Sequence, residues 1–338
     1  MFMAILIVEG CGKVYRKSGN IAVVSKSKFK KQNNEELIEV PVPDIELVVL
    51  VGGYINVTTS ALITLLANGI PVVVLSGKSE VYGVLFDVIQ VGTINIREVQ
   101  YRCFSSEQCK VKYAKFMIAS KLKGLYNVLR YEYKYHKENL SEDVYEYSKS
   151  KILSAIENIN RCTNLDELRL TEAEGSKAFW EVATKFIPEK YNFTGRDPRK
   201  GDSINSALNF IYSIIYGLIV KSLVSVGLDP FYGVMHKEKP GRLTLVYDMS
   251  EILKPLAIHA VIQTSRKANI STLRGSKLLT VKSIEALTSR LYSKLSEESE
   301  RMYKRRSIWQ LPLHEATKLK DAIIKETQYT PYTYNPSD

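Results

Sequence analysis

The run from Gly227 to Glu251, GLDPFYGVMHKEKPGRLTLVYDMSE, holds the side chains best suited to chemistry. His236, one of four histidines, precedes two carboxylates, Asp248 and Glu251, which share a face of any helix beginning where TLVYD ends. A histidine and paired carboxylates in a basic chain point to a divalent metal held against phosphate. Each residue also has a plainer account. A lone loop histidine is usually structural, Asp248 is placed to cap the following helix, and Glu251 then takes the capping-box position.

Two further stretches bear on the same chemistry. Thr171-Glu172-Ala173-Glu174-Gly175 precedes a helical run with Phe179, Trp180 and Val182, and Thr171 with Glu174 reads as a capping box at a helix start. Combined with the histidine and the later carboxylates, Glu174 would complete a mixed nitrogen and oxygen site for Mg²⁺ or Mn²⁺. In the second stretch Asp202 is a good N-cap, and Asn205, Asn209 and Tyr212 recur on one face of an otherwise apolar helix. Such a stripe could simply face water. Asn is a poor helix former, however, so two of them beside a Tyr suggest hydrogen bonds to something buried or bound.

The elements that must position these residues follow from patterning. With 338 residues, 45% of them hydrophobic, the chain can bury more than one core. Up to about residue 96 it reads as short β-branched runs (AILIVE, NIAVVS, IELVVLVGG, IPVVVL, VYGVLFDVI) separated by turn residues. One helix interrupts them, from Thr58 to Asn68, stopping at Gly69 with Pro71 just beyond. From there helices dominate: 107–135, 140–159, 205–226, 250–265 and 282–304, with a looser 186–202 segment between. The fold expected is α+β, a β-rich, sandwich-like N-terminal domain (1–98) followed by a mostly α-helical catalytic domain (99–326). Residues 327–338 are polar and proline-bearing and read as a flexible tail.

Composition narrows the partners. A formal net charge of +11 and a pI near 9.2 favour a polyanion as the large ligand. Cys11, Cys103, Cys109 and Cys162 lack a CxxC pair, which argues against a zinc motif or disulfide framework and suits a reduced, cytoplasmic setting. The apolar start reads as a first strand, since it breaks at Glu9-Gly10 and lacks a basic leader. No stretch reaches the roughly 18 unbroken apolar residues of a membrane span. The tyrosines at 113, 126, 131, 133 and 135 could stack bases, but such a stripe more often lies against a core. Lys26, Lys28, Lys30 and Lys31 read as a solvated hairpin end.

Taken together, the motifs resemble those of the CRISPR-associated spacer-acquisition integrase, the large catalytic subunit of CRISPR adaptation. The resemblance rests on Glu174-Gly175; on the N-x-x-L-N-x-x-Y helix from Asn205 to Tyr212; on Gly227-Leu228-Asp229-Pro230 with Gly233 and His236; and on Leu245, Asp248 and Glu251 followed by Lys254-Pro255. Gly52-Gly53, the helix after it and GIPVVVLSGKSEVYG are similar to the family's N-terminal β-domain. Lys254 stands where the family usually has Arg, which keeps charge but loses bidentate phosphate recognition, and His259 stands where an acidic residue is common.

The resemblance implies Glu174, His236 and Glu251 as ligands of Mg²⁺ or Mn²⁺, with Asp248 assisting or holding a second ion. It implies strand transfer, in which the 3′-hydroxyl of a short captured DNA attacks a phosphodiester at the end of a CRISPR repeat; water in its place would give endonuclease activity. Arg196, Asn205, Tyr212 and Lys254 would support the site or bind DNA, and Arg199, Lys200, Lys237, Lys239 and Arg242 would add positive charge near phosphates. The implied partners are double-stranded DNA (prespacer and repeat), a second copy in a homodimer, and a small ferredoxin-like second adaptation protein, with no membrane. Two rivals share these residues: a structure-selective metal-dependent endonuclease without an integration role, and a non-catalytic DNA-binding scaffold.

Overall fold

Alternating apolar residues build the N-terminal strands β1 (Ile5–Lys17), β2 (Asn20–Lys26), β3 (Glu35–Pro41), β4 (Leu47–Val57), β5 (Val72–Leu75) and β6 (Val81–Leu85). The computed structural model describes residues 5–26, 35–76, 81–87, 93–237, 239–273 and 276–336. These strands hydrogen-bond into one sheet in the order β3-β2-β1-β4-β5-β6. β1 runs parallel to β4 and β4 parallel to β5, while the β1–β2, β2–β3 and β5–β6 pairs are antiparallel. The β4–β5 crossover is the expected helix, α1 (Thr59–Ala67), whose first turn is capped by the Thr58 hydroxyl.

Both faces of the central strands are covered, which is why IELVVLVGG reads as a nearly continuous apolar run. Leu47, Val49 and Val51 enter one core, Val48 and Leu50 the other. The second core also takes Leu6, Val8, Val14, Ile21 and Val40, from both sides of a register shift between Glu9 and Cys11. β3 is not among the runs expected from sequence; its charged alternation, EELIEVP, suits its place at the sheet edge. Most of the Lys26 to Lys31 run lies outside the described residues.

The rest is helical: α2 (Thr93–Ser105), α3 (Glu107–Tyr135), α4 (Glu142–Ile159), α5 (Leu165–Ala183), α6 (Ser203–Ser225), α7 (Thr244–Lys267), α8 (Val281–Tyr303) and α9 (Gln310–Lys325). α3 is the hub, packing on α4, α5 and α7, while α6 packs on α7, α8 and α9. Gly175 permits the α5–α3 approach, since a Cβ there would lie 2.9 Å from Leu122. By length and composition α6 could cross a membrane, but it is largely buried within this helical layer, as its sequence suggested.

Several expectations are corrected. The boundary expected at 98/99 falls inside α2, and one continuous core joins Ile5, Val49 and Val73 of the sheet to the helices. The tail is not loose: Tyr329, Tyr332 and Tyr334 are buried, because their rings supply the apolar area that a count of polar and proline residues overlooks. Cys103 and Cys109 form a disulfide; the α2–α3 turn brings their Cα atoms to 5.6 Å, a proximity that spacing rules do not register. α5 begins at Leu165, capped by Asn164 and Glu167, so Thr171 and Glu174 are mid-helix and form no capping box. α7 begins at Thr244, which places TLVYD inside the helix and removes Asp248 from any capping role. Of the tyrosine stripe, Tyr113 is buried and Tyr133 stacks on Tyr145 at 3.9 Å, as the core reading expected, while Tyr135 is exposed.

Candidate functional site

α5 turns Glu172, not Glu174, toward the interior. Helical geometry puts residues two apart roughly 200° round the axis, so the two glutamates cannot share a face. Glu174 is exposed. Glu172 lines a cleft of about 980 Å³ together with Lys121, Ser176, Trp180, Arg196, Arg199, Asn209, Tyr212, Tyr216, Tyr247, Lys254 and Lys277. Of the two glutamates, the structure brings Glu172 and not the expected Glu174 to the cleft. The sequence did carry the necessary signal: Asn164 with Glu167 marks the start of α5, and from that phase Glu172, Ser176 and Trp180 fall along one row.

α7 supplies Glu251 and Asp248, and the two have different tasks. Glu251 is 3% exposed. Its Oε1 lies 2.5 Å from the Lys254 ammonium and its Oε2 lies 2.7 Å from that of Lys121. Lys121 also pairs with Glu172, whose Oε1 accepts from the Ser176 hydroxyl at 2.7 Å. Burial works to raise the Glu251 pKa, but the charges of Lys121 and Lys254 outweigh it and hold the carboxyl well below the usual range. The same two glutamates hold the Lys121 ammonium above its ordinary range in spite of its burial. Lys121 belongs to α3 and no reading of the sequence singled it out.

Asp248 is consumed by its own loop. Oδ2 accepts from the amides of Val234 (2.6 Å) and Met235 (3.0 Å), and Oδ1 from the amide of His236 (3.0 Å). The His236 ring Nδ1 completes the set at 2.5 Å from Oδ1. With both oxygens doubly engaged, Asp248 orients His236 and is not free to hold an ion. The ring is thereby fixed with Nε2 as the nitrogen that can take a ligand. Gly233 is required for this arrangement, because a Cβ there would sit 2.3 Å from Asp248 Oδ2. Upstream, the buried Gln100 of α2 donates to the carbonyls of Asp229 and Tyr232 and accepts from the Asp229 amide, pinning the start of the same loop.

The α6 stripe faces neither water nor ligand throughout. Asn205 is fully buried; it accepts from Arg196 and the Asp197 amide and donates to the Gly195 carbonyl and to Asp202. Asn209 accepts from the other Arg196 nitrogen at 2.7 Å. The two asparagines therefore hold Arg196 at the cleft, its guanidinium 5.3 Å from the Tyr212 ring centre, with the Lys254 ammonium 5.5 Å from the same ring. Of the more distant basic residues, Arg199 lines the cleft, Arg242 lies over Tyr247, and Lys277 joins them unforeseen. Lys200, Lys237 and Lys239 are not among the cleft's lining residues.

Carboxylate and imidazole side chains are of the types that suit Mg²⁺ or Mn²⁺. The gap between Glu172 and Glu251 already holds a cation, the Lys121 ammonium, which shows that the pair can accommodate one. Among the described residues no three acidic, histidine or cysteine side chains converge as a finished ligand shell. The cleft sets Glu172 among cationic and aromatic walls, an arrangement fitted to a phosphodiester backbone.

Comparison with known proteins follows the same lines. The family model for CRISPR associated protein Cas1 matches residues 6–286. The CRISPR-associated endonuclease Cas1 of Hyperthermus butylicus is 32% identical over 226 residues, 66% of this chain and 67% of that one. The CRISPR-associated endonuclease Cas1 2 of Saccharolobus solfataricus is 26% identical over 262 residues, 78% of each chain. Among solved structures, a casposase bound to integration product has a TM-score of 0.83 at 18% identity, covering 99% of this chain and 95% of its own. A Cas1 protein from Thermotoga maritima has a TM-score of 0.71 at 16% identity, covering 99% and 100%. At those identities the structural likeness establishes the fold.

Proposed function

Because the chain belongs to the Cas1 family, we propose that it is the metal-dependent integrase and endonuclease of CRISPR adaptation, joining short captured DNA to the CRISPR array by transesterification. The observation that carries this reading is the Lys121-bridged pair of Glu172 and Glu251 at a cleft walled by Arg196, Lys254, Lys277 and aromatic rings, with the Asp248-oriented His236 on the loop that leads into α7. The family's CRISPR adaptation role as nuclease and integrase is supported by the names of the relatives; the metal and the chemical step are our inference.

Glu172, Glu251 and His236 Nε2 would hold Mg²⁺ or Mn²⁺. Such an ion, when bound, activates the attacking oxygen and neutralises charge on the phosphate. The protein's own groups do the rest. Arg196, held by Asn205 and Asn209, and Lys254 orient the phosphodiester, and Tyr212, Tyr216 and Tyr247 shield the reacting centre and offer faces for sugar or base. Asp248 keeps the His236 proton on Nδ1, so that Nε2 presents a lone pair.

We infer double-stranded DNA as substrate, a homodimer as the working unit, and a Cas2-type ferredoxin-like protein as partner. A Cas6-RT-Cas1–Cas2 complex and a Cas1–DNA complex among the structural neighbours support the partner and the DNA. Two-fold symmetry would suit two separated insertions.

The test is a joining assay with a labelled short duplex and an unlabelled plasmid in Mg²⁺ or Mn²⁺. Wild type should transfer label to the plasmid. Glu172→Ala, His236→Ala and Glu251→Ala should each lose at least about 100-fold, while Glu174→Ala retains activity. Cleavage without joining would leave a nuclease, and equal activity in all variants would leave a scaffold.

A further inference from the structure

We propose that Lys121 is a tethered cation standing where a divalent ion would sit between Glu172 and Glu251, and that its release couples metal binding to phosphate binding. The proposal rests on the metal reading above. Lys121 is 8% exposed on α3, and its ammonium pairs with Glu172 and lies 2.7 Å from Glu251. Lys254 holds the remaining Glu251 oxygen. Two carboxylates and two ammoniums balance, which is the condition under which four charges can be buried together.

A divalent ion between the carboxylates upsets that balance. It takes the oxygens that Lys121 now occupies and leaves two ammoniums in a low-dielectric cleft without counter-charge. The nearest relief is an anion in the same cleft, whose walls Lys121 and Lys254 share with Arg196 and Lys277. A phosphodiester supplies that charge. Metal should then strengthen phosphate binding, phosphate should strengthen metal binding by the same factor, and Lys121 carries part of the coupling. A merely structural ion pair behaves differently: removing Lys121 would let the carboxylates drift apart and weaken metal binding.

Lys254 provides the internal control. It contributes the same charge but pairs with Glu251 alone of the two carboxylates, so removing it leaves the space between them filled. The experiment is calorimetric titration of Mn²⁺ into metal-free full-length protein, with and without a short DNA duplex, for wild type, K121M, K121R and K254M. Without DNA, K121M should bind Mn²⁺ on the order of tenfold more tightly than wild type, K254M should gain less, and K121R should not gain. The DNA-induced tightening seen in wild type should shrink in K121M.

Unchanged or weaker Mn²⁺ binding in K121M, or an equal gain in K254M, overturns the proposal while leaving the metal site standing. No Mn²⁺ binding by wild type overturns the metal reading itself. Circular dichroism verifies folding, and if K121M does not fold, K121Q takes its place. Failure of DNA to tighten Mn²⁺ binding in wild type overturns the coupling whatever the variants do.

Discussion

At the scale of single residues, the site separates carboxylates that hold ammoniums from one that orders the His236 loop. Glu172 and Glu251 are held by ammoniums; Asp248 is held by three amides and an imidazole. This predicts an asymmetry between substitutions of equal size. Asp248→Asn must set an NH₂ against two donors whichever way it turns, so it should destabilise the fold by about 2–3 kcal/mol and also abolish joining, measured by urea unfolding beside the DNA assay. Glu172→Gln should lose joining while leaving the unfolding midpoint much closer to wild type. A neutral effect of Asp248→Asn on stability would contradict the hydrogen-bond assignment. His236 and Glu251 were legible as chemistry from residue type and spacing. Glu172 was displaced by its neighbour Glu174 because the start of α5 was set about two turns too late. Lys121 lay hidden because a lysine in a Lys-rich helix has no local mark of burial.

At the scale of elements, α3 and α7 carry the site and are locked together by a second, buried polar cluster. Glu132 of α3 receives both nitrogens of Arg266 at 2.7 and 3.1 Å and lies 3.3 Å from His259 Nε2. His259 Nδ1 meets the Tyr334 hydroxyl at 2.7 Å. An acidic residue at position 259 would here repel Glu132, which gives a reason for the histidine. Burial lowers the His259 pKa to about 4, despite the raising influence of Glu132. The unfolded chain therefore binds a proton near pH 6.5 that the folded chain refuses until about pH 4, and stability falls as pH drops through that window. The loss should approach about 3 kcal/mol in denaturant unfolding followed from pH 7 to pH 4. His259→Gln should flatten that slope.

At the scale of the whole molecule, one core runs from the sheet into the helices, and the last described residues close it. Tyr329 is 1% exposed, its ring 6.2 Å from Tyr113 and 6.3 Å from Phe116 of α3. Tyr329→Ala should cost about 3–5 kcal/mol in thermal unfolding, whereas a flexible tail would give no change. The sequence by itself determined the α+β order of elements, the capped helices α1 and α6, the basic character, and the motif run from Gly227 to Glu251, because propensity, capping and charge are properties of local residue types. Tertiary structure alone decided that Asp248 serves His236, that Lys121 bridges two acids, and that the tail packs. Those outcomes depend on contacts between residues far apart in sequence, such as Lys121 with Glu172, 51 positions away, or Tyr334 with Lys294 and Asn127, 40 and 207 positions away, and no local pattern encodes them.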